Sequence, residues 1–206
     1  NSNGNGPELL VSAVAAAATG PSSGEFNNHP QAIDYDTANG RYLIPVEGQP
    51  NSHLAILGSD FSVVDRYELG VAGGVGVNFG EVAGATYVEA DGSYWIVNAG
   101  NPGTIRQLNP STKAVTTTIT LPGFVGEIGA LASSNDGTTT FLYAYQAFQD
   151  TFYKINTVTS NVVDTKSVQD NNFNDQFYPP GGATGATVGE VDGTNRLLVS
   201  RGNQIF

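Results

Sequence analysis

One unit of strand and turn, written several times over, constrains this chain more than anything else in it. The clearest copy is Asp91–Leu121, DGSYWIVNAGNPGTIRQLNPSTKAVTTTITL. Asp91-Gly92 offers the positive-φ residue of a tight hairpin. Ser93–Asn98 is β-branched and aromatic with partial alternation, and predicts a strand. Thr104–Asn109 predicts a second strand, Pro110–Lys113 a turn, and Val115–Leu121 a third strand with a threonine-rich outer face. With Gly84–Ala90 in front, the unit reads as a four-stranded antiparallel meander.

The same wording recurs. Gly92 has counterparts at Gly40, Gly137 and Gly193. A strand precedes each (Ala32–Tyr35, Ala85–Glu89, Ala130–Ser133, Ala186–Glu190), and another follows (Tyr42–Val46, Tyr94–Val97, Phe141–Tyr145, Leu197–Ser200). Third strands are expected at Leu54–Leu57, Ile105–Leu108 and Phe152–Ile155, ending at Gly58, Asn109 and Asn156. A valine follows each end at the same interval: Val64, Val115 and Val162. A four-stranded unit of about 40–50 residues hides its two faces only against neighbours of its own kind, which makes it a β-propeller blade. The expectation is all-β: a β-propeller of four-stranded antiparallel blades, three full and one partial. The blades fall near 31–70, 84–121, 129–168 and 185–206 of a single domain spanning 1–206.

The segment 8–19 lacks the basic flank of a signal peptide and is too short to span a bilayer. It is expected to be a strand that completes the last blade and closes a four-bladed ring. The halt at Ile205-Phe206, partway through a blade, points instead to a fragment of a six- to eight-bladed propeller. Both architectures stay open.

The repeat resembles the YVTN/NHL-like β-propeller family. A D-G turn leading into a strand of the "YVaN" type matches Asp91-Gly92-Ser93-Tyr94-Trp95-Ile96-Val97-Asn98, and Leu108-Asn109-Pro110-Ser111-Thr112 matches the following turn. The copies near Ala32 and Ala130 match more loosely, and the one at Ala186 stops partway. The resemblance covers about residues 31–206. It implies architecture, because such repeats serve binding modules, lactonase-like enzymes and surface proteins alike.

Composition narrows the partners. A formal net charge of −11 and a pI near 4.3 exclude nucleic acid as an electrostatic partner and disfavour anionic membranes. With charged residues at 13%, the acidity itself reads as solubility. Cysteine is absent, which removes disulfides and thiol chemistry. The absence of methionine, even at position 1, predicts a processed or trimmed chain. Few lysines with many Asn, Thr and Gly resemble secreted or cell-surface β proteins, so an extracellular setting is expected. Further blades or a partner chain are expected if the ring is larger.

Two sets of residues carry candidate chemistry. Glu25, Asn27, Asn28 and His29, then Asn78 and Glu81, then Glu127, all fall just before inner strands, where they would ring one mouth of the channel. Asn28, Glu81 and Glu127 are oxygen donors suited to Ca²⁺ or Mg²⁺, and such an ion would serve a lactonase- or phosphoesterase-type hydrolase as Lewis acid. The alternative is solvated loop residues, and no Asp-x-Asp-x-Asp-Gly loop is present. The second set is the loop Gln169–Gly185, with Phe173, Asn174, Asp175, Phe177 and Tyr178. Aromatic rings beside amides and a carboxylate suit carbohydrate, or a protein ligand, although the same rings would also pin the loop to its own blade. His53, and the turn residues Asp34, Asp36, Asp91, Asp136 and Asp192, read as structural. Nucleophilic triad and phosphate-loop signatures are missing. The reading favoured is a non-catalytic binding or surface-scaffold propeller. A metal-dependent hydrolase and a purely structural blade array are the alternatives.

Overall fold

A computed structural model describes residues 29–47, 52–69, 82–98, 104–121, 128–146, 151–167, 183–191, 194–201 and 204–205. Among them the chain is strand and turn throughout. The first blade holds β1 (His29–Pro30), β2 (Asp34–Asp36), β3 (Arg41–Glu47), β4 (His53–Leu57) and β5 (Val63–Glu68). The second holds β6 (Val82–Val88), β7 (Ser93–Asn98), β8 (Thr104–Asn109) and β9 (Ala114–Thr120). The third holds β10 (Ile128–Asn135), β11 (Thr140–Gln146), β12 (Thr151–Asn156) and β13 (Asn161–Ser167). A fourth sheet holds β14 (Ala183–Val191), β15 (Thr194–Arg201) and β16 (Gln204–Ile205). Each sheet is an antiparallel meander in chain order; β1 and β2 both pair with β3, so together they form one interrupted inner strand. This is the β-propeller of four-stranded blades, three of them full and one partial.

The register shows how closely the blades copy one another. In β6, Val82 faces Asn98 and Gly84 faces Val97, which leaves Ala83 as an extra residue. The same one-residue bulge lies between Ile128 and Ala130 and between Ala183 and Gly185, and Pro30 to Asp34 gains one residue over β3. A second bulge marks each outer strand, at Val64, Thr116 and Val163. Bulges sharpen the local twist, and they also exchange the faces of a strand whose period is two. Val115 and Ile119 therefore pack on opposite sides of β9, although their spacing alone would put them on one.

These faces make the core. Tyr94, Ile96 and Leu108 point toward the first blade and meet Leu43, Leu54, Ile56 and Tyr67. Trp95, Val97 and Ile105 point the other way and meet Leu131, Leu142, Ala144 and Ile155 of the third blade. Ala130, Tyr145 and Phe152 then reach Ala186 and Leu197 of the fourth sheet. Each Leu, Ile or Phe taken from water in these seams contributes roughly 1.5–3 kcal/mol, which is why the units stack rather than stand alone.

Two sequence equivalences change. Gly40 and Gly92 close four-residue loops at positive φ, 64° and 66°. Gly137 (φ 92°) is instead the second residue of the loop between Asn135 and Thr140, where Asp136 Oδ1 accepts the Thr138 and Thr139 N–H groups. The Val191–Thr194 pair leaves only two residues for the last hairpin. The blades share a sheet plan, but the inner turn common to the first two is not that of the third or fourth. Likewise Leu57 pairs with Val63 rather than Val64, whereas Leu108 and Ile155 pair with Val115 and Val162. In the latter two blades an asparagine, Asn109 or Asn156, accepts two backbone N–H groups of the turn through its Oδ1. Gly58 stands at that place in the first blade and cannot, so Asp60 Oδ1 takes the Ser62 N–H and hydroxyl instead.

Candidate functional site

The four inner strands meet at a cavity of about 270 Å³ on the side of the inner hairpins. Asp34 and Tyr35 come from β2, Thr86 and Tyr87 from β6, Ser133 from β10 and Val188 from β14. Period two decides which of these face across the seams. Asp34 lies on the same side of its sheet as Leu43, its pair on β3, and so looks at the second blade.

What it meets is polar. Thr86 Oγ1 lies 2.7 Å from Asp34 Oδ2, and the Tyr87 N–H donates to the same oxygen at 2.8 Å. Thr86 Oγ1 is also 3.0 Å from Ser133 Oγ, and the Ser133 hydroxyl donates to the Tyr87 carbonyl at 2.8 Å. One continuous line of oxygens thus joins three successive blades. Thr86 is almost wholly buried, whereas Asp34 keeps partial access at the cavity wall. Burial pushes the Asp34 carboxyl above its ordinary value; the hydrogen bonds from Thr86 and the Tyr87 N–H oppose that, and Asp36 adds to it.

Around this line the wall is varied. The Tyr35 ring is 43% exposed and rests against Tyr42, with ring centres 5.0 Å apart. Glu89 and Asn135 are exposed at the rim. A carboxyl and several hydroxyls on one concave wall can hydrogen-bond to a small polar ligand. Among the described residues no three His, Cys, Asp or Glu side chains converge as a metal site would require.

Three further pins hold the first seam, all outward of the cavity. Tyr94 donates to Asp36, whose carboxylate also accepts the Asn39 N–H and side-chain amide. The Tyr67 hydroxyl reaches the Pro110 carbonyl at 3.2 Å, with Lys113 Nζ 4.9 Å above the Tyr67 ring. Lys113 also pairs with Asp65 at the outer edge. Burial first, and then Asp65, pushes the Tyr67 phenol up to about 12.

The residues singled out from the sequence fall elsewhere. Asn28, Glu81 and Glu127, and Phe173, Asn174, Asp175, Phe177 and Tyr178, lie outside the described residues, as do Glu25, Asn27, Asn78 and the 8–19 segment. His29 is described only as part of β1. His53 is buried within β4, in keeping with a structural role. Asp34, read as a hairpin-turn residue although it lies in the expected strand Ala32–Tyr35, sits within the inner strand. The signal that would have found it is alignment of strands rather than turns: pairing with β3 and β7 sets Asp34 level with Thr86, a polar residue facing a seam.

No family model matches the sequence, and no curated protein matches it. Among solved structures the chain is similar to Kuenenia stuttgartiensis hydrazine synthase, with TM-score 0.51 at 12% identity, over 84% of this chain and 46% of that one. It is similar also to a protein of unknown function from Bacteroides caccae, with TM-score 0.50 at 12% identity, over 84% and 53%. Myxococcus xanthus glutaminyl cyclase aligns with TM-score 0.49 at 17% identity, over 85% and 86%. The chain spans about half the length of the first two. At these identities the likeness concerns the fold alone.

Proposed function

We propose that this chain is a non-catalytic binding propeller whose ligand is a carbohydrate, held at the cavity where the inner strands meet. The observation that supports this reading is the convergence of the Asp34 carboxyl and the Thr86 and Ser133 oxygens from three blades at one cavity, with Tyr35 among its lining residues. A sugar offers an apolar ring face to an aromatic and hydroxyls to carboxyl and hydroxyl oxygens, so its surface fits that inventory. The aromatic and amide-rich stretch Phe173–Tyr178 carries the same chemistry. On the residues Asp91–Asn98 and Leu108–Thr112, we place the repeat with the YVTN-like propellers. An extracellular setting suits such a ligand.

The test is a glycan array followed by calorimetric titration of each hit. Tyr35→Ala is expected to weaken binding about tenfold or more, the scale of one lost aromatic platform. Asp34→Ala is expected to weaken it further. A saccharide that binds both variants as tightly as the natural chain, or an array with no hit, would overturn the proposal.

A further inference from the structure

The line of oxygens in the cavity wall does not close on its protons if Asp34 is ionised. It contains three contacts: Asp34 to Thr86 at 2.7 Å, Thr86 to Ser133 at 3.0 Å, and Ser133 to the Tyr87 carbonyl at 2.8 Å. A carbonyl brings no proton, and each hydroxyl brings one. Thr86 and Ser133 therefore fill two contacts and leave two oxygens facing each other lone pair to lone pair in the third. A proton on Asp34 completes the set. The carboxyl then donates to Thr86, Thr86 to Ser133, and Ser133 to the Tyr87 carbonyl, all in one direction.

The surroundings agree with that count. Among the described residues no ammonium or guanidinium pairs with Asp34; the charge acting on it there is Asp36, two residues along its own strand. From β6, the groups beside it are Thr86 and the Tyr87 N–H, with the Glu89 carboxylate at the rim of the same cavity. From β3 it faces Leu43 across the pair, with Arg41 opposite Asp36 at the strand end. From β10 the line is reached by Ser133 alone. Burial and a like-charged neighbour both favour the neutral acid, and the hydrogen bonds from Thr86 and from the Tyr87 and Tyr35 N–H groups are the opposing influence.

We propose that Asp34 works as a pH-sensitive latch, holding a proton and closing the oxygen line across three blades below its midpoint and loosening that line on ionisation above it. The regulation of ligand entry rests on the cavity being the binding site; the latch itself does not. Loss of the proton reverses the first contact, so Thr86 donates to the carboxylate and releases Ser133. The cavity wall then gains a charged acceptor at the cost of a weaker seam between the second and third blades. A ligand hydroxyl would donate to that acceptor.

The sign follows from the carboxyl's position above its ordinary value of 3.8. Stability from this group is fully present below the unfolded value and is lost as pH rises through the higher folded one.

The experiment is a carbon-13 NMR titration of the side-chain carboxyls of the full chain, with Asp34 identified by its loss in Asp34→Asn. Unfolding stability in urea is followed in parallel. The expected result is a midpoint for Asp34 above 3.8, with stability falling over the same interval. Asp34→Asn, which cannot ionise, should abolish that pH-dependent fall. A midpoint at or below 3.8, or a stability that ignores the titration, would overturn the latch. No saccharide enters the measurement, so a failure of sugar binding reads out separately.

Discussion

The Tyr94 hydroxyl donates a 3.0 Å hydrogen bond to Asp36 across the seam between the first two blades, and both residues are buried. Burial, then this bond, raises the Tyr94 phenol well above its ordinary range. Asp36 holds the inner turn through Asn39 with the same carboxylate. Tyr94→Phe removes the cross-blade donor and leaves a buried acceptor short of one partner. The expected loss is about 1–3 kcal/mol, read from urea unfolding; a variant as stable as the natural chain would show the pin to be idle.

Gly84 is required by a neighbour. A Cβ there would lie 3.0 Å from the Leu131 backbone nitrogen, with Val97 and the Ala130 carbonyl carbon close behind. Neither backbone group can swing aside, so Gly84→Ala must part the second and third blades. Destabilisation of about 1–3 kcal/mol is expected. Gly92→Ala meets no atom within 4 Å but keeps φ at 66°, so its cost is that of backbone strain alone, about 1–2 kcal/mol. Thermal unfolding of the two variants side by side separates crowding from strain.

Trp95 is the chain's single tryptophan and is buried in the seam between the second and third blades. Its fluorescence therefore reports that seam. Leu142→Ala, which empties the facing position, should cost about 2–5 kcal/mol. If the blades unfold together, fluorescence and far-ultraviolet circular dichroism will give one midpoint in denaturant. Two midpoints would mean that the seam opens before the sheets do.

At the outer edge, the Lys113–Asp65 pair is partly exposed. Burial raises the Asp65 carboxyl, but the hydrogen bond from Lys113 leads the influences that bring it below its ordinary range. Such pairs contribute about 0–1 kcal/mol and weaken with salt. Lys113→Ala should therefore change unfolding stability little, and less still in 1 M salt. A large, salt-resistant loss would assign the effect to the Lys113 stem against the Tyr67 ring.

Acid should act through the turns. The Thr138 and Thr139 N–H groups hold Asp136 below the usual carboxylate range, and the Ser62 hydroxyl and N–H do the same for Asp60. A depressed carboxyl adds stability above its unfolded value and loses it as pH falls through the folded one. Asp136→Asn should flatten the acid limb of a stability–pH curve, the opposite sense to Asp34→Asn.

The blade was readable from the sequence because its signals are local: alternating β-branched and aromatic residues, glycine at sharp turns, asparagine where strands end. The inner hairpins misled because Gly137 and Gly40 look alike in one dimension yet occupy different places in their loops. Bulges were invisible for the same reason, as an inserted residue such as Ala83 or Thr116 leaves no mark beyond a change of phase. Asp34 could be read as a site residue only by aligning the inner strands with one another. Its meaning comes from Thr86, 52 residues further along, and Ser133, 47 beyond that, brought near only by the stacking of whole blades.

Strict alternation along β7 gives Tyr94 and Ile96 to one neighbour and Trp95 and Val97 to the other. Inserting one amino acid ahead of this strand would swap the two allegiances at a stroke, delivering a phenol to a greasy joint and an indole to a carboxylate. The middle sheet can thus be traded for another only as a matched piece, cut to fit the blades on both flanks.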